Sequence, residues 1–130
     1  MGRPLINYLD TQVATWLAEG NLARITQKAM RQMASATLLL SPMVILELEY
    51  MFEIGRSLRT ARDMQQKLKS DLGVSVCQIG FSSIIHAALD ENWTRDPFDR
   101  IIVAHAKANN FSYLISADRL IQQHYPRAVW

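Results

Sequence analysis

Four short apolar runs, separated by stretches of helical periodicity, constrain the fold of this chain more than any other feature. They lie at residues 5–9 (Leu-Ile-Asn-Tyr-Leu), 37–40 (Thr-Leu-Leu-Leu), 74–77 (Val-Ser-Val-Cys) and 113–116 (Tyr-Leu-Ile-Ser). Strands buried on both faces read as nearly unbroken apolar runs, and strands alternating with helices give a mostly parallel sheet covered on both sides. The pattern therefore predicts an α/β chain, a three-layer α/β/α sandwich around a mostly parallel central sheet. The intervening helices are expected at residues 11–18, 22–35, 42–54, 60–71, 81–89, 96–109 and 118–124, with a short edge strand at 128–130. Several carry their own punctuation. Ser41-Pro42 and Asp96-Pro97 each pair a cap with a first-turn proline, Thr60 to Asp63 resembles a capping box, and Gly55 and Gly73 stand where helices stop. No repeat, linker or low-complexity segment interrupts the 130 residues, so one domain over 1–130 is expected.

Composition removes several classes. A net charge of +2 is too mild to argue for nucleic acid by itself. A single cysteine, Cys77, gives no disulfide framework and points to a reducing cytoplasm. The first residues lack a stretch suited to a signal peptide, and no apolar run approaches the ~20 residues of a membrane helix, so no membrane association is expected. There is no Walker A loop, dinucleotide-binding glycine motif, H-E-x-x-H or G-x-S-x-G.

The acids are more informative. In an open α/β sheet, ligands bind beyond the carboxyl ends of the strands. Asp10 directly follows the first apolar run, and Asp118 lies two residues past Ser116, which ends the fourth. Asp99 falls in the first turn of the helix opened by Asp96-Pro97, and a helix running back along a parallel sheet starts at that same edge. Glu47 is singled out by its position on the 42–54 helix. With residues about 100° apart, Glu49 and Glu53 share a face, whereas Glu47 lies at least about 120° from both, in an arc of Met43, Met51 and Ile54. A carboxylate set among apolar neighbours needs a cation, a hydrogen-bond network or a metal. Asp10, Glu47, Asp99 and Asp118 are thus expected to meet at one edge, with Asp96 as a fifth acid. Clustered carboxylates raise one another's pKa, and a divalent cation relieves that repulsion. Oxygen-only donors favour Mg²⁺ or Mn²⁺, and such a site suits phosphodiester displacement.

On four segments the chain resembles the PIN domain and, within it, the VapC-type toxin ribonucleases of bacterial toxin–antitoxin pairs. The segments are Tyr8-Leu9-Asp10-Thr11, Ser41-Pro42-Met43-Val44-Ile45-Leu46-Glu47-Leu48, Asp96-Pro97-Phe98-Asp99-Arg100-Ile101-Ile102-Val103-Ala104 and Leu114-Ile115-Ser116-Ala117-Asp118. The third is the most specific. The resemblance implies a PIN-like fold and a metal-binding, catalytic cluster of Asp10, Glu47, Asp99 and Asp118. Thr11 and Ser116 match supporting hydroxyl positions, Ser116 replacing the commoner threonine. Asp96 is a helix cap and supporting acid. The implied activity is Mg²⁺- or Mn²⁺-dependent cleavage of RNA, with a homodimer and a small antitoxin that blocks the groove. Two other readings compete: a catalytically quiet PIN domain that binds RNA or protein without cutting, and a phospho-acceptor or Asp-nucleophile domain. The latter wants a second acid beside Asp10, where Thr11 and Gln12 stand instead.

Other residues carry weaker expectations. Arg100 is expected to support the site, pairing with a carboxylate or reaching for phosphate. Arg56, Arg59 and Arg62, spaced by three, form either a phosphate-facing strip or a solvated helix face. His105 reads as a core or rim histidine and Cys77 as a core residue. Trp93 is either a base-stacking residue or a loop anchor.

Overall fold

The computed structural model describes residues 5–130; the N-terminal reading of residues 1–4 lies outside the described residues. Five strands form one sheet: β1 (Ile6–Leu9), β2 (Thr37–Leu40), β3 (Ser75–Val76), β4 (Tyr113–Ile115) and β5 (Ala128–Val129), in the spatial order β3-β2-β1-β4-β5. Every pairing is parallel, so the mostly parallel sheet is parallel throughout. The helices are α1 (Thr11–Glu19), α2 (Gln27–Ala34), α3 (Pro42–Glu53), α4 (Ala61–Leu72), α5 (Phe81–Ala88), α6 (Pro97–Ala108) and α7 (Arg119–His124). This is the expected α/β/α sandwich. Tyr8 and Leu9 on β1 and Leu114 and Ile115 on β4 are fully buried, with Val13, Val44, Met64, Leu68, Ile102 and Val103 brought onto them by the helices.

The strand order fixes where a ligand can enter. The chain moves outward from β1 to β2 and β3, then returns to the other side of β1 to lay down β4 and β5. Connections from β1 and β4 leave in opposite directions, opening a crevice at the carboxyl ends of these two central strands. In register, Leu9 stands beside Ile115. The residues that follow each, Asp10 and Ser116, therefore emerge side by side at that crevice.

Local chemistry explains the helix boundaries. Ser41, Thr60, Asp96 and Asp118 all cap their helices with side-chain acceptors, to Met43, Asp63, Phe98 with Asp99, and Leu120 with Ile121 respectively. One expectation is corrected. The helix read over 22–35 is a 3₁₀ turn at Leu22–Arg24 followed by α2. The break is at Thr26, whose extended backbone and side chain, accepting from Ala29, start a new helix. The third strand is also shorter than its apolar run. Ser75 and Val76 form the paired strand and the Cys77 N–H adds one further bond to the Leu40 carbonyl of β2 at 2.8 Å, while Val74 is buried ahead of it.

Candidate functional site

The crevice holds a cavity of about 530 Å³ whose wall carries Asp10, Glu47, Asp96, Asp99 and Asp118. The sheet and two helices deliver them. Asp10 ends β1 and caps α1, its Oδ1 accepting from the Thr11 N–H at 2.9 Å. Its own N–H donates to the Ile115 carbonyl at 3.0 Å, which ties it to β4. Its Oδ2 accepts from the Ser116 hydroxyl at 2.7 Å. Ser116 is fully buried, and the same hydroxyl accepts from the Asp118 N–H at 3.1 Å. One hydroxyl thus spaces the two strand-end acids. Asp118 spends Oδ1 on the α7 N-terminus and leaves Oδ2 without a hydrogen bond among the described residues.

Glu47 and Asp99 come from the helices. Glu47 is half-buried on α3, and its Oε1 accepts a short hydrogen bond from the Thr11 hydroxyl. Asp99 sits in the first turn of α6. Its backbone N–H donates to Asp96, which is the helix cap, while its own carboxylate has no hydrogen-bond partner among the described residues. α3 and α6 pack on each other. His105 of α6 lies at 1% exposure with Nδ1 2.9 Å from the Ser41 hydroxyl at the α3 cap. The start of the helix bearing Glu47 is thereby joined to the helix bearing Asp99.

The electrostatics are those of uncompensated acids. Burial first, then the carboxylates of Asp10, Asp96, Asp118 and Glu47, push Asp99 up to about 8. Asp10 is also raised, by burial above all, with its Ser116 and Thr11 hydrogen bonds opposing and Asp118 and Asp96 adding repulsion. Glu47 is raised by burial, opposed by the Thr11 hydroxyl. Among the described residues, the ion pairs are Lys67–Asp71 and Lys107–Glu91, and neither touches these acids. The donor set suits a hard divalent cation: all oxygen, all carboxyl groups and unpaired with protein cations among the described residues. As the side chains stand, however, no three His, Cys, Asp or Glu groups among the described residues are close enough to hold an ion. The acids line one cavity without forming a closed cage.

Arg100, expected at the site, is elsewhere. Its Nε and Nη2 donate to the Ala88 carbonyl at 3.2 and 3.1 Å, and Nη2 also reaches the Leu89 carbonyl at 3.2 Å. It satisfies the C-terminal carbonyls of α5, where a cation also complements the helix dipole. It pairs with no carboxylate among the described residues and does not border the acid cavity, so the first of its two expected contacts, a site carboxylate, is not made.

His105 is a core residue, its pKa lowered by burial and its Nε2 without a partner among the described residues. Cys77 is buried and accepts from the Tyr8 hydroxyl at 3.0 Å. Trp93 is the loop anchor of the two alternatives. Its ring stacks on His124 at 5.0 Å and 6°, and Nε1 donates to Glu91 at 2.6 Å. Glu91 itself was not singled out by the sequence, although it is 3% exposed. Nor was Arg56 separated from its two neighbours; it alone of the three stands on the wall of the acid cavity.

The sequence profile of the PIN domain matches residues 8–125. The chain belongs to the PIN domain family. PIN domains are generally nucleases and use divalent metal ions. No curated protein matches the chain significantly. Among solved structures, this PIN domain is similar to a chain of VapBC2 from Rickettsia felis bound to a DNA fragment from their promoter. The TM-score is 0.59 at 17% identity, over 95% of this chain and 96% of that one, a likeness of fold.

Proposed function

We propose that this PIN domain is a metal-dependent endoribonuclease, the toxin of a type II toxin–antitoxin pair, built as one domain over residues 1–130 and acting in the cytoplasm. The observation that carries the reading is the gathering of Asp10, Glu47, Asp99 and Asp118, with Asp96, on one cavity wall, with no cation among the described residues paired to them. Asp10, Glu47, Asp99 and Asp118 are the residues that would hold Mg²⁺ or Mn²⁺. A divalent cation held by them would supply positive charge against the negative charge that develops at the phosphodiester and would make water a better nucleophile near neutral pH. The protein's share is orientation. Ser116 and the Thr11 N–H hold Asp10, the Thr11 hydroxyl holds Glu47, and Asp96 builds the turn that presents Asp99. These hydrogen bonds restrict the carboxylates, and outer partners of this kind tune metal affinity.

The fold-level likeness to a chain of a VapBC complex supports a small antitoxin as partner. Such a partner is expected to send an Arg or Lys into the acid cavity, where charge-assisted hydrogen bonds replace the cation. A homodimer belongs to the same reading. A second reading, a PIN domain that binds RNA without cutting it, is favoured by the open spacing of the carboxylates. One experiment separates the two. Incubate the purified chain with labelled RNA in Mg²⁺, Mn²⁺ or EDTA, beside Asp99→Asn. Metal-dependent cleavage lost in the variant is expected. RNA binding with no cleavage in any metal favours the second reading, and undiminished cleavage by Asp99→Asn removes Asp99 from the site.

A further inference from the structure

The acid cavity has one cation on its wall. Arg56 borders the same space as Asp10, Glu47, Asp96, Asp99 and Asp118, and no other Lys, Arg or His among the described residues does so. Its position follows from the end of α3. Gly55 takes a left-handed backbone at φ 79°, a conformation that glycine adopts without strain. The Arg56 N–H then donates to the Met51 carbonyl at 2.9 Å, turning the chain back over the last turn of the helix. Arg59 and Arg62 do not share the location. Arg59 lies in the α3–α4 loop, and Arg62 borders a separate hollow on α4 beside Gln65, Gln66 and Lys69. The three arginines are therefore not a strip, and only one of them faces the site.

Arg56 is an exposed residue, and its guanidinium forms no ion pair with the surrounding carboxylates among the described residues. An arginine placed to neutralise the acids would be engaged with one of them. An unengaged guanidinium at the rim is available to an anion arriving from solvent, and its planar fork matches phosphate oxygens. A cavity walled by five carboxylates repels a polyanion, so a phosphate anchor at its edge offsets that repulsion where the strand enters. We propose that Arg56 binds a backbone phosphate of single-stranded RNA next to the one held among the acids. This inference rests on the ribonuclease reading and assigns its substrate contact.

The test uses a fluorescein-labelled single-stranded RNA of about 20 nucleotides. Anisotropy is read in EDTA, where nothing is cut, and cleavage is read in Mn²⁺, both over a KCl series. Proteins are wild type, Arg56→Ala, Arg56→Lys and, as a surface control, Arg62→Ala. Removing one charge-assisted contact is expected to weaken binding and raise KM about tenfold with little change in kcat. The slope of log affinity against log salt falls by about 0.7, one phosphate contact on a single strand. Arg56→Lys restores most of the salt slope and part of the affinity, while Arg62→Ala matches wild type. Equal affinity and equal salt slope in Arg56→Ala overturn the proposal, as does an equal loss in Arg62→Ala or a wild type that binds no RNA. A wild type that binds RNA through Arg56 yet cuts none supports this inference and removes the ribonuclease reading.

Discussion

Two places in this molecule bury carboxylates, and they treat them in opposite ways. Glu91, at 3% exposure, has both oxygens satisfied: Oε1 takes the Lys107 ammonium at 2.9 Å and Oε2 takes the Trp93 indole N–H at 2.6 Å. The cavity acids have hydrogen bonds from hydroxyls and backbone, yet no paired cation among the described residues, and among these residues nothing donates to the Asp99 carboxylate. Burial and mutual repulsion leave its pKa near 8. The first arrangement is complete within the chain and fastens the α5–α6 loop to α6. The second is incomplete within the chain, and what it lacks is positive charge. Acids that serve the fold are closed off by the fold; acids that await a ligand carry a standing electrostatic cost.

The contrast predicts opposite responses to neutralisation. The largest effect is on chemistry: Asp99→Asn should reduce metal-dependent RNA cleavage by about a thousandfold or more, a loss of about 4 kcal/mol in transition-state stabilisation. Activity within tenfold of wild type would break the distinction. Glu91→Ala should instead cost stability, about 2 kcal/mol. It strips the Trp93 N–H and Lys107 of their partner, and the half-exposed Lys107 regains water, which limits the loss. Chemical denaturation measures it. A neutral result would mean that the buried pair is not what holds the loop.

A smaller and opposite shift is expected for Asp99→Asn in the metal-free protein, a gain of about 1 to 2 kcal/mol near pH 8 after allowance for solvent screening. The sign follows from linkage. Asp99 holds its proton to about pH 8 in the folded state, and an unfolded aspartate loses it near ~4. Between those values the folded state binds more protons, so stability falls as pH rises from about 4 to about 8. In EDTA, wild type should lose thermal stability over that window, and Asp99→Asn should lose less of it. Parallel melting curves for the two would contradict the raised pKa. The smallest effect belongs to Ser116→Ala, which frees Asp10 Oδ2 and the Asp118 N–H. About 1 kcal/mol of metal affinity should go, read as a several-fold weaker Mn²⁺ titration.

The sequence was legible where a local pattern determined the outcome. Asp10 and Asp118 were readable because a parallel strand's end is a fixed place, and an acid just past it has only one edge to occupy. Glu47 stood out because helical geometry separates it from Glu49 and Glu53; the structure adds that Glu49 accepts from the Ala61 N–H, a fold contact. Side chains that reach far were not readable. Arg100 is one residue from Asp99 in sequence, yet its long guanidinium arm satisfies carbonyls at the end of α5. Glu91 carried no signal of its own in the sequence, because its partners, Trp93 and Lys107, are brought together only by the packing of that loop against α6. The break at Thr26 was hidden by an apolar stripe that continues across it, from Ile25 to Ala29 and Met33, while the cap resets the backbone.

The proposed function requires that the cavity acids take up a divalent cation, whose charge the chain does not itself supply. Isothermal titration of Mn²⁺ into wild type, Asp99→Asn and Glu91→Ala at pH 7.5 addresses it most directly, with proton release followed by repeating the titration in buffers of different ionisation enthalpy. Saturable binding with release of protons is expected in wild type and in Glu91→Ala, with loss of both in Asp99→Asn. Binding that is absent from wild type, or that survives Asp99→Asn with the same proton release, would contradict it.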